Sequence, residues 1–279
     1  MLRYGEIGRE RPGLLDRQGV LRDLSTAVAD IAGTALSTQE LERLRALDAN
    51  SLRVVGGSPR VGAPIGNVGK MICVGLNYAD HAAESGLPLP ELPVIFMKAT
   101  TAIVGAEDHI VLPRGSSKTD WEVELGVVIG ETARDVAPDE ALDHVAGYVV
   151  VNDVSEREFQ FEHGGQWDKG KGCDTFGPIG PWLVTRDEIA DVQNLQMWLT
   201  VNGRRFQSSS TGSMVFDVAY LVSHISRYMT LMPGDVISTG TPPGVGHGQK
   251  PPLYLKAGDV VELGIEGLGQ QRQSVVASP

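Results

Sequence analysis

In the stretch Asp120-Trp121-Glu122-Val123-Glu124-Leu125-Gly126-Val127-Val128-Ile129, apolar and acidic residues alternate with a period of two, the pattern of a β-strand. Trp121, Val123, Leu125 and Val127 share one face of such a strand. Glu122 and Glu124 share the other, roughly 6–7 Å apart at the backbone. Two buried carboxylates that close repel unless a cation neutralises them, and carboxylate oxygens suit a hard divalent ion. A strand with a solvated outer face would carry the same alternation. A second stretch, Gly147-Tyr148-Val149-Val150-Val151-Asn152-Asp153, is a near-continuous apolar run of the kind found in buried strands, and it ends in a carboxylate. An aspartate at the end of a buried strand needs a partner, and an ion shared with Glu122 and Glu124 supplies one. Three carboxylates leave about three positions of an octahedral ion open. No histidine or cysteine adjoins them, which argues against zinc.

Working outward, strand signals rich in Val, Ile and aromatic residues recur at 70–75, 94–98, 121–129, 147–154, 181–185, 197–201, 235–239 and 259–265, with Gly or Pro between them. One long helix is predicted at 214–229, where Val215, Val218, Leu221, Val222, Ile225 and Met229 fall on one face. Many strands and few helices predict a mixed, β-rich α+β fold with mostly antiparallel pairing, not a doubly wound sheet. The first part of the chain reads as a separate small domain, residues 1–65, ahead of a larger one, residues 66–279. It holds a strand near 2–7 and a helix at 38–47 capped by Ser37 or Thr38, then a linker marked by Gly56, Gly57, Pro59, Gly62 and Pro64.

The bulk composition limits the partners. A net charge of −11 over 279 residues, with no Lys/Arg cluster, argues against nucleic acid and against an anionic membrane surface. No apolar run is long enough to span a bilayer, and Met1–Tyr4 has no apolar secretory core behind it, so a cytoplasmic location is expected. Cys73 and Cys173, 100 residues apart, read as two reduced thiols.

Several further groups could carry chemistry. His81 and Glu84 are three apart, on one face of a short helical turn that Asn77 could cap. The carboxylate can then orient the imidazole as a general base for water, although a surface pair would look the same. Arg157 offers a planar fork to a substrate carboxylate, with Gln160 one turn on; an exposed helix start is the alternative. The glycine-rich 164–178 stretch contains Lys169 and Lys171, either of which could enter a cleft. Thr239-Gly240-Thr241-Pro242-Pro243-Gly244-Val245-Gly246 follows a strand and resembles an anion-cradling loop, but it lacks a Walker lysine.

Taken in order, CVGLNYADHAAE, PVIFMKAT, DWEVELGVVIG, VVVNDVSEREFQ, KGCDTFGPIGPW, VNGRRFQ and LMPGDVISTGTPPGVG resemble the fumarylacetoacetate hydrolase family, from about residue 70 to the C-terminus. The resemblance implies a rolled mixed sheet behind a small β-rich N-terminal domain, a homodimer, and Mg²⁺ or Mn²⁺ on Glu122, Glu124 and Asp153. It assigns His81 and Glu84 to water activation on a lid, Lys171 to the reacting centre, and Arg157, Gln160 and Thr241 to an oxo-acid substrate. A register error between Lys169 and Lys171 stays open. The fourth acidic ligand of the eukaryotic tyrosine-pathway enzyme is not evident, which argues against fumarylacetoacetate itself. The expected reaction is hydrolytic C–C cleavage of a small anionic 2,4-dioxo acid to pyruvate and a second acid. The 156–182 region is similar to bacterial hydrolases of 2,4-diketo-3-deoxy sugar acids such as rhamnonate or fuconate. Decarboxylation of an oxaloacetate-like acid, ureidoglycolate lysis and a metal-stabilised binding protein are the alternatives. Substrate selection is expected from the loops at 86–91 and 164–169.

Overall fold

The strand Val123–Ile129 lies at the centre of a seven-stranded mixed sheet in the computed structural model, which describes residues 1–84, 86 and 88–279. The strands follow the order Val94–Lys98, Met71–Gly75, Val236–Ser238, Val123–Ile129, Val145–Asn152, Gly177–Thr185 and Ile103–Val104. Met71–Gly75 pairs parallel to Val236–Ser238, Ile103–Val104 pairs parallel to Gly177–Thr185, and the other neighbours are antiparallel. A five-stranded sheet, ordered Arg204–Ser210, Gln196–Val201, Val260–Ile265, Gly269–Ala277 and Ile110–Leu112, packs on one face of the first, so the sheets curl around a common core. The β-rich α+β expectation holds.

Strand parity explains how the faces divide. Val123, Leu125, Val127 and Val150 point into the core shared with Leu199, Val261 and Leu263 of the second sheet. Val128, Val149 and Val151 point the other way and pack with Ile31, Leu36, Leu41 and Ile65 from the first part of the chain. Each fully buried Val, Leu or Ile contributes about 1.5–3 kcal/mol. Glu124 and Glu122 share the parity of Val128, and Asp153 shares that of Val151. The N-terminal segment therefore covers one end of this face, and the carboxylates emerge beyond it. That segment forms an antiparallel sheet of Leu21–Asp23, Arg11–Leu15, Leu2–Tyr4 and Val61–Gly62. Its helix Thr38–Arg45 is capped by Ser37, whose Oγ accepts from Glu40 N at 3.3 Å.

The long helix is shorter than its periodicity predicts, spanning Val218–Ser226. Asn77 is the reason. Its side chain accepts from Phe216 N at 2.8 Å and donates to Phe216 O at 3.0 Å, and its own carbonyl accepts from Val215 N at 2.8 Å, which holds this stretch out of the helix. Asp217 then caps the helix. Asn77 thus clamps a distant segment, and among the described residues its side chain makes no hydrogen bond to its own turn. The strands Arg204–Ser210 and Gly269–Ala277 escape sequence reading because their inward residues are polar. Gln207, Gln271 and Gln273 are buried, and each is hydrogen-bonded. No helix among the described residues is long and apolar enough to cross a membrane.

Candidate active site

Pairing register brings the three carboxylates together. Val123 lies opposite Asn152, and Asp153 N donates to Glu122 O at 2.9 Å, so the ends of two adjacent strands present Glu122, Glu124 and Asp153 to one point. All three are buried, at 4%, 2% and 0% exposure, which rules out the solvated outer face. One oxygen from each lies within 4.8 Å of the others, close enough for the triad to hold a metal ion.

The cations around the triad are arranged asymmetrically. Lys171 Nζ bridges Glu122 Oε2 at 2.7 Å and Asp153 Oδ2 at 2.8 Å. Lys98 Nζ holds the other oxygen of Asp153 and donates to Val154 O at 3.0 Å. Arg157 Nη2 donates to Glu122 Oε1 at 2.5 Å. Burial alone would raise Glu122, but Lys171 and Arg157 hold its carboxyl well below the usual range. Among the described residues, Glu124 has no cation in contact and accepts only from Ser238 Oγ at 2.6 Å and Gly240 N at 2.9 Å. Burial, then Asp153 and Glu122, push its carboxyl far above the usual range. The donor set is all carboxylate oxygen and includes one member that lacks a counter-charge, which suits a hard divalent cation.

The two candidate lysines lie in different surroundings. Lys169 is exposed and donates to His163 O at 2.6 Å, whereas Lys171 is buried among the carboxylates. Burial would lower the Lys171 ammonium, but Asp153 and Glu122 outweigh it and keep the group charged. Gly170 places Lys171 there. A Cβ at this position would meet Glu156 O at 2.3 Å and Gln160 N at 2.7 Å, so the turn Asp168–Lys171 can approach the helix Arg157–Phe161 only because residue 170 has no side chain. Gly170→Ala should cost about 1–3 kcal/mol through overpacking and withdraw Lys171 from the triad. A thermal melt together with an activity assay would check both.

Arg157 is buried, and its fork is already used in part. Nε donates to Asp120 Oδ1 at 2.7 Å and Nη1 to Gln160 Oε1 at 3.0 Å. One hydrogen each on Nη1 and Nη2 remains for a substrate, as does the Gln160 amide NH₂. The Thr241 hydroxyl donates to Val123 O at 2.9 Å and accepts from Gln207 Nε2 at 2.8 Å, so it can offer a ligand only a lone pair. His81 sits on the short helix Ala79–Glu84, with Nδ1 3.2 Å from Glu84 Oε2. Glu84 also accepts from Gly244 N at 2.9 Å, which ties this helix to the 241–248 loop. A cavity of about 240 Å³ joins His81, Glu122, Glu124, Arg157, Lys171 and Thr241. Of the loops expected to select substrate, Trp167 lines this cavity, while Leu87 lies outside the described residues.

Lys98 and Asp120 were missing from the sequence prediction. A lysine closing the apolar strand VIFMK was a readable signal, since a charge at a buried strand end needs a partner. Asp120 stands at the head of the acidic stretch, but its role depends on Arg157 arriving from elsewhere. Burial raises its carboxyl to about 6, with Arg157 pulling the other way, so it is ionised at neutral pH.

A fumarylacetoacetate hydrolase C-terminal family model matches residues 70–276. A Burkholderia ambifaria protein named as a candidate hydrolase is 64% identical over 275 residues, 98% of each chain. Among solved structures, fumarylacetoacetate hydrolase from Exiguobacterium antarcticum superposes with a TM-score of 0.85 at 38% identity, covering 99% of both chains. A 2-hydroxyhepta-2,4-diene-1,7-dioate isomerase from Mycobacterium marinum gives 0.73 at 36% identity, covering 100% of this chain and 99% of that one. The chain belongs to the fumarylacetoacetate hydrolase family.

Proposed function

We propose that the protein is a Mg²⁺- or Mn²⁺-dependent hydrolase that cleaves the C–C bond of a 2,4-dioxo acid, of the 2,4-diketo-3-deoxy sugar-acid type, to pyruvate and a second acid. The observation that carries this reading is the balance of buried charge. In the ion-paired cluster at the triad, Asp120, Glu122, Glu124 and Asp153 face Lys98, Arg157 and Lys171, so with all four carboxylates ionised one negative charge would lack a partner, and without an ion burial pushes Glu124 toward its protonated form instead. A divalent ion on the triad turns this into one positive charge, matched to a single carboxylate.

When bound, the ion supplies Lewis-acid polarisation at the oxo-acid end of the substrate. The chain's own groups do the rest. The free donors of Arg157 and Gln160 orient the substrate carboxylate. Glu84, anchored by Gly244 N, accepts the hydrogen bond of His81 Nδ1–H, which leaves Nε2 as the basic nitrogen. Nε2 removes a proton from water as the water oxygen bonds to C4, and the Lys171 ammonium balances the developing oxyanion. The C3–C4 bond then breaks, its electron pair passes to the pyruvate enolate, and the proton taken up by His81 is returned to C3, which completes pyruvate and restores the base.

His81→Ala is expected to lower turnover by about 10²–10⁴-fold, the usual contribution of a general base, with ion affinity unchanged. Steady-state kinetics alongside a Mn²⁺ titration would check it. Full activity in this variant would remove His81 from the reaction. The reading as a whole is tested with a panel of 2,4-dioxo sugar acids, acetylpyruvate, oxaloacetate and ureidoglycolate, following pyruvate release with Mg²⁺ and after EDTA. Pyruvate from the dioxo acids alone supports the hydrolase, and pyruvate from oxaloacetate alone would make the protein a decarboxylase. The Mycobacterium marinum isomerase favours one further reading, proton transfer on an unsaturated oxo acid without water attack. That reading predicts substrate isomerisation with no pyruvate.

A further inference from the structure

The cavity above the carboxylates is bounded by aromatic rings that the proposed reaction does not use. Phe161 and His247 have ring centres 5.5 Å apart, and Trp167 meets Phe161 edge-on at 6.4 Å. All three line the cavity, and Phe161 is 42% exposed, leaving much of its ring uncovered. His247 is held from two sides. Its backbone N–H donates to Asp120 Oδ2 at 2.7 Å, and its Nδ1 lies 2.9 Å from the Tyr254 hydroxyl. Asp120 holds Arg157 Nε with its other oxygen, so one buried carboxylate fixes both the charged floor and this rim. Gly246 locks the loop further, since a Cβ there would meet Leu253 O at 2.2 Å and Asp120 Cβ at 2.7 Å. Among the described residues, His247 Nε2 has no hydrogen-bond partner.

We propose that Phe161, Trp167 and His247 form the subsite for the departing acyl end of the substrate and select a hydroxylated aliphatic chain. The C–H face of such a chain lies on the aromatic rings, and one of its hydroxyls hydrogen-bonds His247 Nε2. A hydroxyl suits the site better than a second carboxylate. Burial, then Arg157 and Lys118, push His247 below its usual range, and a neutral ring offers a hydrogen bond without a charge. The aromatic faces add contact area that a bare acetyl group cannot reach. This assignment rests on the dioxo-acid reading above and narrows its substrate.

The test compares kcat/KM for acetylpyruvate with that for a 2,4-dioxo acid hydroxylated at C5. Both are measured with Mg²⁺ in the wild type, His247→Phe and Phe161→Ala. The wild type should prefer the hydroxylated acid by about tenfold or more. Each variant should cut that preference by about tenfold, the worth of one good hydrogen bond or ring contact, mainly through KM. An unmoved preference in both variants overturns the subsite, as does an equal fall in kcat for both substrates, which would mark a merely structural role. If the wild type works on both acids but prefers acetylpyruvate, the subsite alone falls. If the wild type releases pyruvate from neither, the dioxo-acid reading falls and takes the subsite with it.

Discussion

Glu124→Gln is expected to raise the melting temperature of the ion-free protein while abolishing its activity. Glu124 sits 2% exposed beside Glu122 and Asp153, with a hydroxyl and a backbone amide as its only hydrogen-bond donors among the described residues. The amide keeps those two bonds through its oxygen and turns its NH₂ toward the neighbouring carboxylates, donating to them without a proton having to be taken up. Because the ion-free chain otherwise folds at neutral pH only by protonating Glu124, removing that cost should stabilise it by about 1 kcal/mol, roughly 2–4 °C for a protein of this size. The same change deletes one of three ligand oxygens. Because changes behind the ligands alone weaken metal sites by 10–100-fold, loss of a ligand should exceed about 100-fold. Thermal melts in EDTA and a calorimetric Mn²⁺ titration would register the two effects separately. A variant that melts lower without ion, or binds Mn²⁺ as the wild type does, would show that the triad is not an ion site.

Lys171→Met should behave in the opposite way. The methionine fills a similar volume but leaves Glu122 and Asp153, both buried, without the ammonium that bridges them at 2.7 and 2.8 Å. Breaking a buried pair by removing one partner costs about 3–5 kcal/mol, on the order of 10 °C here. Adding Mn²⁺ should recover part of that loss, because the ion neutralises the same oxygens. Activity should fall by about 10²–10³-fold as the developing oxyanion loses its counter-charge. Lys169→Met, two residues away and exposed, should change stability by less than about 0.5 kcal/mol. Melts of the two variants side by side would separate a site lysine from its neighbour.

What could be read in the sequence follows from which interactions are local. Strand parity is local, so DWEVELGVVIG placed Glu122 and Glu124 on one face, and the apolar run before Asp153 marked a buried strand end. The convergence of those ends depends on the Val123–Asn152 register, which spacing suggests but does not set. Lys98 and Asp120 acquire meaning only from partners 55 and 37 residues away, and no local pattern announces such pairs. The helix at Val218–Ser226 was overextended because Asn77, far earlier in the chain, captures the backbone ahead of it. Polar inward strands such as Gly269–Ala277 hide from hydrophobic periodicity because their glutamines are satisfied by distant carbonyls. The cation pattern around the triad is likewise a tertiary property. Sequence could nominate Lys169 or Lys171, and only the close approach permitted by Gly170 separates them.

Running the reaction in H₂¹⁸O with Mg²⁺ tests the hydrolytic claim most directly. Samples are taken at times short against exchange of the substrate's own oxo oxygens, measured without protein. The expected result is one ¹⁸O in the new carboxylate of the second acid, formed in step with pyruvate and abolished by EDTA. Product that forms without label in that carboxylate would contradict water attack at C4 and assign the same carboxylate triad to decarboxylation or isomerisation.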